Sequence, residues 1–370
     1  MSYVDAVLSQ LQVGLKEVSP LNKRTEPVFF KYPKTAAILA EFQTSKMLPK
    51  MTMQEDGTFR CTSFDIVYNQ ADQNTIGSGS SSATGACVIV PDQTFSGLKS
   101  TKDIDRFFER KLTINKKACN SFLNFQSRLE HAIDVKMQEI ALEWNARQIA
   151  VLAANFQTAT NQGDFGTNIT AGVIDYTYAD LIDENKFEQR LVDWGMIGEY
   201  ELLPQNMLVL NGQNFLNVKN QAEFNALNDN QRSQAAHFGS MNIGWDTLGF
   251  ATASIRKTSF LIDPNAYCVI TRNQYTTAPV NEMNATNDRT WSMPLTYLDE
   301  NMVRRNLTYK EGNATKNLMV DMRLQLTCNA ADAVDGIIPN DYVLEMRLAA
   351  GLVLMPAKNS STGIVKILAA

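Results

Sequence analysis

From residue 121 to 156 the chain reads SFLNFQSRLEHAIDVKMQEIALEWNARQIAVLAANF, without a glycine or proline. Phe125, Leu129, Ile133, Met137, Ile140, Trp144, Val151 and Leu152 recur at helical spacing, so an apolar face runs its length. Asn120 or Ser121 is placed to cap the start, and Glu143 and Arg147 stand one turn apart as a well-oriented ion pair. At 1.5 Å per residue this helix is roughly 50 Å long. A helix of that length buries little against one compact body, so neighbouring subunits are expected to supply contacts.

The segments before it have the same outward character. Residues 1–50 read as an N-terminal arm: Val4, Leu8, Leu11 and Leu15 repeat at helical spacing, and SPLNKRTEPVFFKYPKT then carries three prolines, predicting an extended strap. Residues 51–98 read as an extended β-hairpin. Phe59, Cys61 and Ser63 alternate with polar neighbours, FDIVY continues the outgoing strand, and ACVIVP (86–91) is the expected return. Between them lies NQADQNTIGSGSSSATG, small and polar, with Gly77, Gly79, Ser81 and Gly85 at the expected intersubunit tip.

Residues 99–175 are expected to hold the long helix, and 176–302 an α+β lobe. In that lobe YADLIDENKFEQRLVDWG predicts a helix ending at Gly195, GQNFLNVKNQAEFNALNDNQRSQ a second helix, and NMLVLNG, GFATASI, SFLID and AYCVIT short strands. Residues 303–370 are expected to be mainly β. Leu318, Val320, Met322, Leu324 and Leu326 alternate strictly, which predicts a strand with one buried face. YVLEMRLAAGLVLMP and TGIVKILAA add two more apolar runs. The fold class is therefore α+β.

Recognisable catalytic patterns are missing. GSGSSSATGA has no lysine and runs into a strand, so it lacks both the Walker A lysine and the helix N-terminus that binds phosphate. Gly77 and Gly79 are followed by Ser82, which breaks the dinucleotide pattern. The two histidines, His131 and His237, belong to no zinc-hydrolase motif, and no nucleophile elbow is present. DIDRFFERK and LDEN read as solvated charged faces, and the aspartate of DPN as a turn residue. The five cysteines form no C-x-x-C pair and read as small apolar residues. No enzymatic activity, cofactor or metal is expected, and no apolar run reaches membrane-spanning length. A net charge of −5 limits any nucleic-acid contact to a local patch.

In order, the arm, hairpin, long helix, α+β lobe and β-rich return resemble the HK97-fold major capsid proteins of tailed bacteriophages. KLTINKKACNSFLNFQSRLEHAIDVKMQEIALEWNARQIAVLAAN is similar to that family's strand leading into its spine helix, and SFLIDPNAYCVITRNQY to its axial-to-peripheral region. The resemblance implies an N-arm (1–50), an E-loop (51–98), a peripheral domain (99–175, spine helix 121–156), an axial domain (176–302) and strands completing the peripheral domain (303–370). It implies an icosahedral-type shell of hexamers and pentamers, located in the virion and enclosing double-stranded DNA through weak, non-specific contact. Its further partners are portal and decoration proteins, with a separate scaffolding protein or none. No lysine lies between Met51 and Leu98, so a cross-link from an E-loop lysine is not expected. The alternatives are an encapsulin-like nanocompartment shell, another virion structural protein, and an enzyme with an unrecognised site in the α+β lobe.

Overall fold

The computed structural model of the chain describes residues 27–43, 63–70, 96–103, 106–114, 122–157, 168–170, 173–176, 187–201, 203–212, 235–238, 241–251, 258–273, 288–299, 301–311, 313–328, 340–354 and 362–369. The fold is α+β. The long helix spans Phe122–Ala154. Strand β1 (Ser63–Gln70) pairs with β2 (Ser96–Asp103) as a two-stranded antiparallel sheet of its own, and β3 (Arg106–Ile114) follows in a different sheet.

The lobe after the helix contributes β4 (Asn168–Thr170), β5 (Val173–Tyr176), the helix Phe187–Tyr200, β6 (Leu208–Asn211), β7 (Ala235–Phe238), β8 (Met241–Trp245) and β9 (Thr258–Ile262). A turn at Asp263–Ala266 leads into β10 (Tyr267–Arg272), and then come β11 (Asp288–Pro294), β12 (Thr296–Leu298) and β13 (Arg304–Asn306). The chain finishes with β14 (Thr308–Glu311), β15 (Ala314–Asn317), β16 (Met319–Cys328), β17 (Asn340–Leu354) and β18 (Ile364–Ala369).

Two larger sheets result. Seven strands run in the order β4-β5-β18-β9-β6-β8-β7, with β18 parallel to β5 and β6 parallel to β8. The five-stranded sheet is built around the fifteen-residue β17. β3 pairs with 342–350, β16 with 340–347 and β10 with 349–354. Overlapping partners occupy opposite edges of a strand, so β3 has one edge of β17, while β16 and β10 share the other end to end. β11 extends the sheet beyond β16.

The long helix lies on the five-stranded sheet. Leu129, Ile133, Met137, Ile140 and Trp144 are buried against Phe108, Met322, Leu324, Leu344, Met346 and Leu348. The rings of Phe108 and Trp144 meet edge to face at 5.8 Å. Leu318, Val320, Met322 and Leu324 are all buried, the inward set that strict alternation predicts. On the seven-stranded sheet, Trp194 and Ile197 of the second helix pack on Met207, Val209, Ile243, Leu261, Val365 and Ile367.

The sheets are not divided as sequence order suggests. β10 and β11, expected in the α+β lobe, lie in the sheet under the long helix, and the last strand, β18, lies in the lobe's sheet between β5 and β9. Apolar runs mark a strand but not its partner, and Asp263–Ala266 passes the chain from one sheet to the other. The helix expected to stop at Gly195 continues to Tyr200. Ile197 keeps its buried face in register, and Gly198 allows close approach of Met207, whose sulfur would lie 2.6 Å from an added Cβ. In GFATASI, residues 249 and 250 form a turn and 252–257 lie outside the described residues, as does the helix expected over 213–234. The strap is not simply extended. Pro27–Phe30 forms a 3₁₀ turn, and a helix spans Lys34–Phe42 directly after Pro33, at an end where the missing amide hydrogen costs nothing.

That short helix is tied down by one carboxylate. Asp246 Oδ2 accepts hydrogen bonds from Thr35 N (3.2 Å), Thr35 Oγ1 (2.7 Å) and Asn145 Nδ2 (3.0 Å), while Oδ1 accepts from Gly249 N at 2.7 Å. Asn145 Oδ1 accepts from Ala36 N. The arm helix, the long helix and the end of β8 thus meet at a buried charge placed at a helix N-terminus, where the dipole favours it.

A second junction is made by three leucines. Leu295 N donates to Leu318 O, Leu318 N to Leu307 O and Leu307 N to Leu295 O, at 2.7, 2.9 and 2.9 Å. All three side chains are buried, so the chain passes one point three times and throws out the hairpins β12–β13 and β14–β15 between passes. The first leaf holds the long helix: Arg304 pairs with Asp134 at 2.6 Å, and Gln138 donates to Lys31 O while accepting from Leu298 N. The second holds the arm helix, through Gln43 Nε2 to Lys310 O and Lys310 Nζ to Glu41 O.

Candidate assembly surfaces

The arm between Pro27 and Gln43 is spent within the subunit. Phe29, Tyr32, Ile38 and Leu39 are buried, and Gly244 lets Ile38 lie where a Cβ would be 3.0 Å from two of its carbons. Residues 1–26 lie outside the described residues. The apolar stripe of the long helix is likewise internal, since Leu129, Ile133, Met137, Ile140 and Trp144 are each 4% exposed or less. These five residues serve the subunit's own core. The helix spans Phe125, whose side chain lies outside the described residues.

The hairpin is different. β1 and β2 pair from Ser63↔Asp103 to Gln70↔Ser96, an unbroken ladder that among the described residues joins neither larger sheet. The strand facing 63–70 is therefore 96–103, and not the 86–91 run expected from its apolar sequence. SGLKSTKD is polar, a composition for which β propensity gives no strong signal. Residues 86–91 and the tip residues Gly77, Gly79, Ser81 and Gly85 lie outside the described residues.

The face of the five-stranded sheet away from the long helix is charged. Register sets Lys111, Glu345 and Arg323 in one row across β3, β17 and β16, and Glu109, Arg347 and Asp321 in the next. Signs alternate along each row and between rows. Lys111 Nζ lies 2.7 Å from Glu345, Arg323 Nη1 3.4 Å from the same carboxylate, and Arg347 Nε 3.1 Å from Glu109. The rows border a cavity of about 280 Å³. Ser292 Oγ donates to Asp321 Oδ1, the buried end of the second row.

On the helix side of β3, Arg110 reaches Glu139 (2.9 Å) and Glu143 (2.7 Å), and Lys136 joins Glu139. Glu143, expected to face Arg147 on the outer side, is thus bound into the strand–helix contact. Asp299 of LDEN is also no solvated charge: it is buried, accepts from Asn301 N and Val303 N, and pairs with Arg305. Those bonds support Met302 in the left-handed region (φ 62°), from which it packs on Phe29 and Leu298. Asp263 of DPN accepts from Asn265 N, the turn role predicted from sequence.

Burial raises the carboxyl of Asp134 from 3.8 to about 6, against the opposing pull of Arg304. Burial also pushes the Cys268 thiol up to about 12. His131 on the long helix presents its ring to Phe29 at 5.8 Å. His237 lies in β7, opposite Asn242. Among the described residues, no group of three or more His, Cys, Asp or Glu is arranged to hold a metal ion, and no helix is long and apolar enough to cross a membrane.

No protein-family model matches the chain, and no curated protein matches it. Solved structures similar to it include the capsid of Ralstonia phage GP4, at 8% identity over 98% of this chain and 94% of that one, with a TM-score of 0.43. A structure from Mycobacterium phage Che8 shares 9% identity over 83% and 84%, with a TM-score of 0.42. One from Microbacterium phage Oxtober96 shares 8% over 100% and 99%, also at 0.42. These likenesses are distant.

Proposed function

We propose that this chain is a shell-forming structural protein, the major capsid protein of a tailed bacteriophage with an HK97-like fold. The carrying observation is the ribbon β1–β2. Among the described residues it is a separate two-stranded sheet, Ser63–Gln70 paired with Ser96–Asp103. An isolated two-stranded hairpin is marginal in water, so a ribbon of this length calls for cover from outside its own sheet. In an assembly, neighbouring subunits provide that cover.

The long helix and the arm helix, both packed inward, give a stiff body for the ribbon to extend from. The buried side chains of Asp246 and Asp134 tie elements together, which is structural employment and not that of an acid–base site. In this reading copies of the chain form hexamers and pentamers, portal and decoration proteins complete the particle, a scaffolding protein directs assembly where one is used, and double-stranded DNA is held inside. A net charge of −5 suits a lining that does not grip the genome tightly.

The purified chain, alone and with candidate scaffold, is examined by size exclusion and negative-stain microscopy. Rings or shells are expected, and a persistent monomer in both conditions overturns the reading. Deleting residues 76–85 is expected to leave subunit folding intact and abolish assembly. Loss of folding would place that segment in the core.

A further inference from the structure

We infer that the free edge of β3 is a two-fold contact, at which β3 of a second copy of this chain adds antiparallel and continues the five-stranded sheet. Among the described residues β3 pairs only with β17, leaving a nine-residue edge strand. Such an edge presents a row of backbone donors and acceptors ready for another strand.

Its sequence is self-complementary in one antiparallel register. With the axis at Arg110, Glu109 lies opposite Lys111 of the second copy and Lys111 opposite its Glu109, while the two Arg110 side chains meet across the axis on the helix side, each neutralised by Glu139 and Glu143 of its own subunit. Phe108 falls opposite Leu112 of the second copy on the helix side. The Glu109 and Lys111 side chains are 59% and 69% exposed, so each can face a new partner while keeping its present one.

The rows already described make this register stronger than a single pair of charges. Across the joined sheet the first row reads Arg323, Glu345, Lys111, then Glu109, Arg347, Asp321 of the second copy. The signs alternate without a like-charge neighbour, and symmetry makes the second row its reverse. Opposite charges directly across strands stabilise pairing, and like charges oppose it. A register shifted by two residues sets Glu109 against Glu109 or Lys111 against Lys111.

The long helix leaves room for the contact. Arg110 of β3 reaches Glu139 and Glu143, so this stripe of the helix faces the β3 side. Helical spacing continues the stripe through Ala146 and Ala150, both exposed and both small. Small residues let two symmetry-related helices approach closely above the joined sheet. An isologous contact of this kind closes on itself and makes a dimer without requiring a shell.

Glu109→Cys and Lys111→Cys are prepared separately, mixed from unfolded chains, refolded together and mildly oxidised. An intermolecular disulfide between positions 109 and 111 is expected in the mixture, with neither variant alone exceeding wild type. Lys111→Glu, which sets like charges against each other twice, is expected to weaken dimerisation about tenfold, whereas Lys111→Arg leaves it unchanged. No cross-link in the mixture overturns the inference, whether or not the protein forms larger particles. Equal cross-linking of Glu109→Cys alone overturns the register. A dimer without shells would sink the capsid reading and leave this contact standing.

Discussion

Asp246→Asn removes a charge with almost no change of shape, and it should destabilise the subunit by about 3 kcal/mol. The carboxylate accepts four hydrogen bonds: three at Oδ2 from buried donors and one at Oδ1 from the half-buried Gly249 N. An asparagine has one oxygen. Turned to keep the three bonds to Thr35 and Asn145, it points its amide hydrogens at the half-buried Gly249 N, and a donor left facing a donor there costs about 1 kcal/mol, the low end of the range for a buried group. The surviving bonds also lose their charge, which is worth about half of each. The loss falls at the N-terminus of Lys34–Phe42, where a negative group contributes about 0.3–1 kcal/mol or more.

Urea unfolding followed by tryptophan fluorescence, on protein held as monomer, measures the change as a shift of midpoint at constant slope. Trp245 precedes the mutated residue and reports on its surroundings. Thr35→Val supplies the cycle: because both substitutions disturb one network, their effects should fail to add by at least about 0.5 kcal/mol. A loss below about 1 kcal/mol for Asp246→Asn, or strict additivity with Thr35→Val, refutes the claim that this carboxylate joins the three elements.

Asp134 gives the pH dependence. Its carboxyl is raised from 3.8 to about 6 by burial, so the folded state holds the proton more tightly than the unfolded one, and its contribution grows as pH falls from above 6 towards 3.8. Between pH 7.5 and 5 the wild type should therefore gain about 1.4 kcal/mol relative to Asp134→Asn, and parallel stability curves for the two would refute this. Gly363→Ala forces a side chain to φ 73° and sets its Cβ 2.6 Å from that of Ala266, so a loss of about 2–4 kcal/mol in thermal or urea unfolding is expected. The Cys268 thiol, buried and raised to about 12, should resist alkylation at pH 8 in native protein and react on unfolding, as mass spectrometry of the labelled peptide would show.

Where local periodicity was strong, the sequence could be read directly. The helix expected over 121–156 is found at Phe122–Ala154, and the alternation from Leu318 to Leu324 marks the buried face leading into and along β16. Both signals arise within one element facing one core. Partner choice left no such mark: nothing within GIVKILAA says that it inserts between β5 and β9. The polar return strand SGLKSTKD carries a weaker signal than the apolar ACVIVP, because a ribbon outside the main sheets has no core to write an apolar face. The leucine junction was hidden for a different reason. Leu295, Leu307 and Leu318 are bound through their backbones, and backbone hydrogen bonds leave no residue-type signature.

The subunit has used its most apolar surfaces and leaves others available. The apolar stripe of the long helix, the most prominent feature of the sequence, suggested a surface seeking a neighbour, yet it is consumed by β3, β16 and β17. The arm from Pro27 to Gln43 is consumed too, by Asp246 and the two leaves of the leucine junction. Among the described residues the unpaired strand edges include both edges of the β1–β2 ribbon and the outer edge of β3, beside those of β4, β7 and β11. The ribbon and β3 are adjacent in the chain, since β2 ends at Asp103 and β3 begins at Arg106. Assembly through edges of this kind relies on backbone hydrogen bonds fixed in register by charge. The proposed contacts accordingly place association in Glu109, Lys111 and a polar hairpin, in a chain whose strongest hydrophobic pattern faces inward.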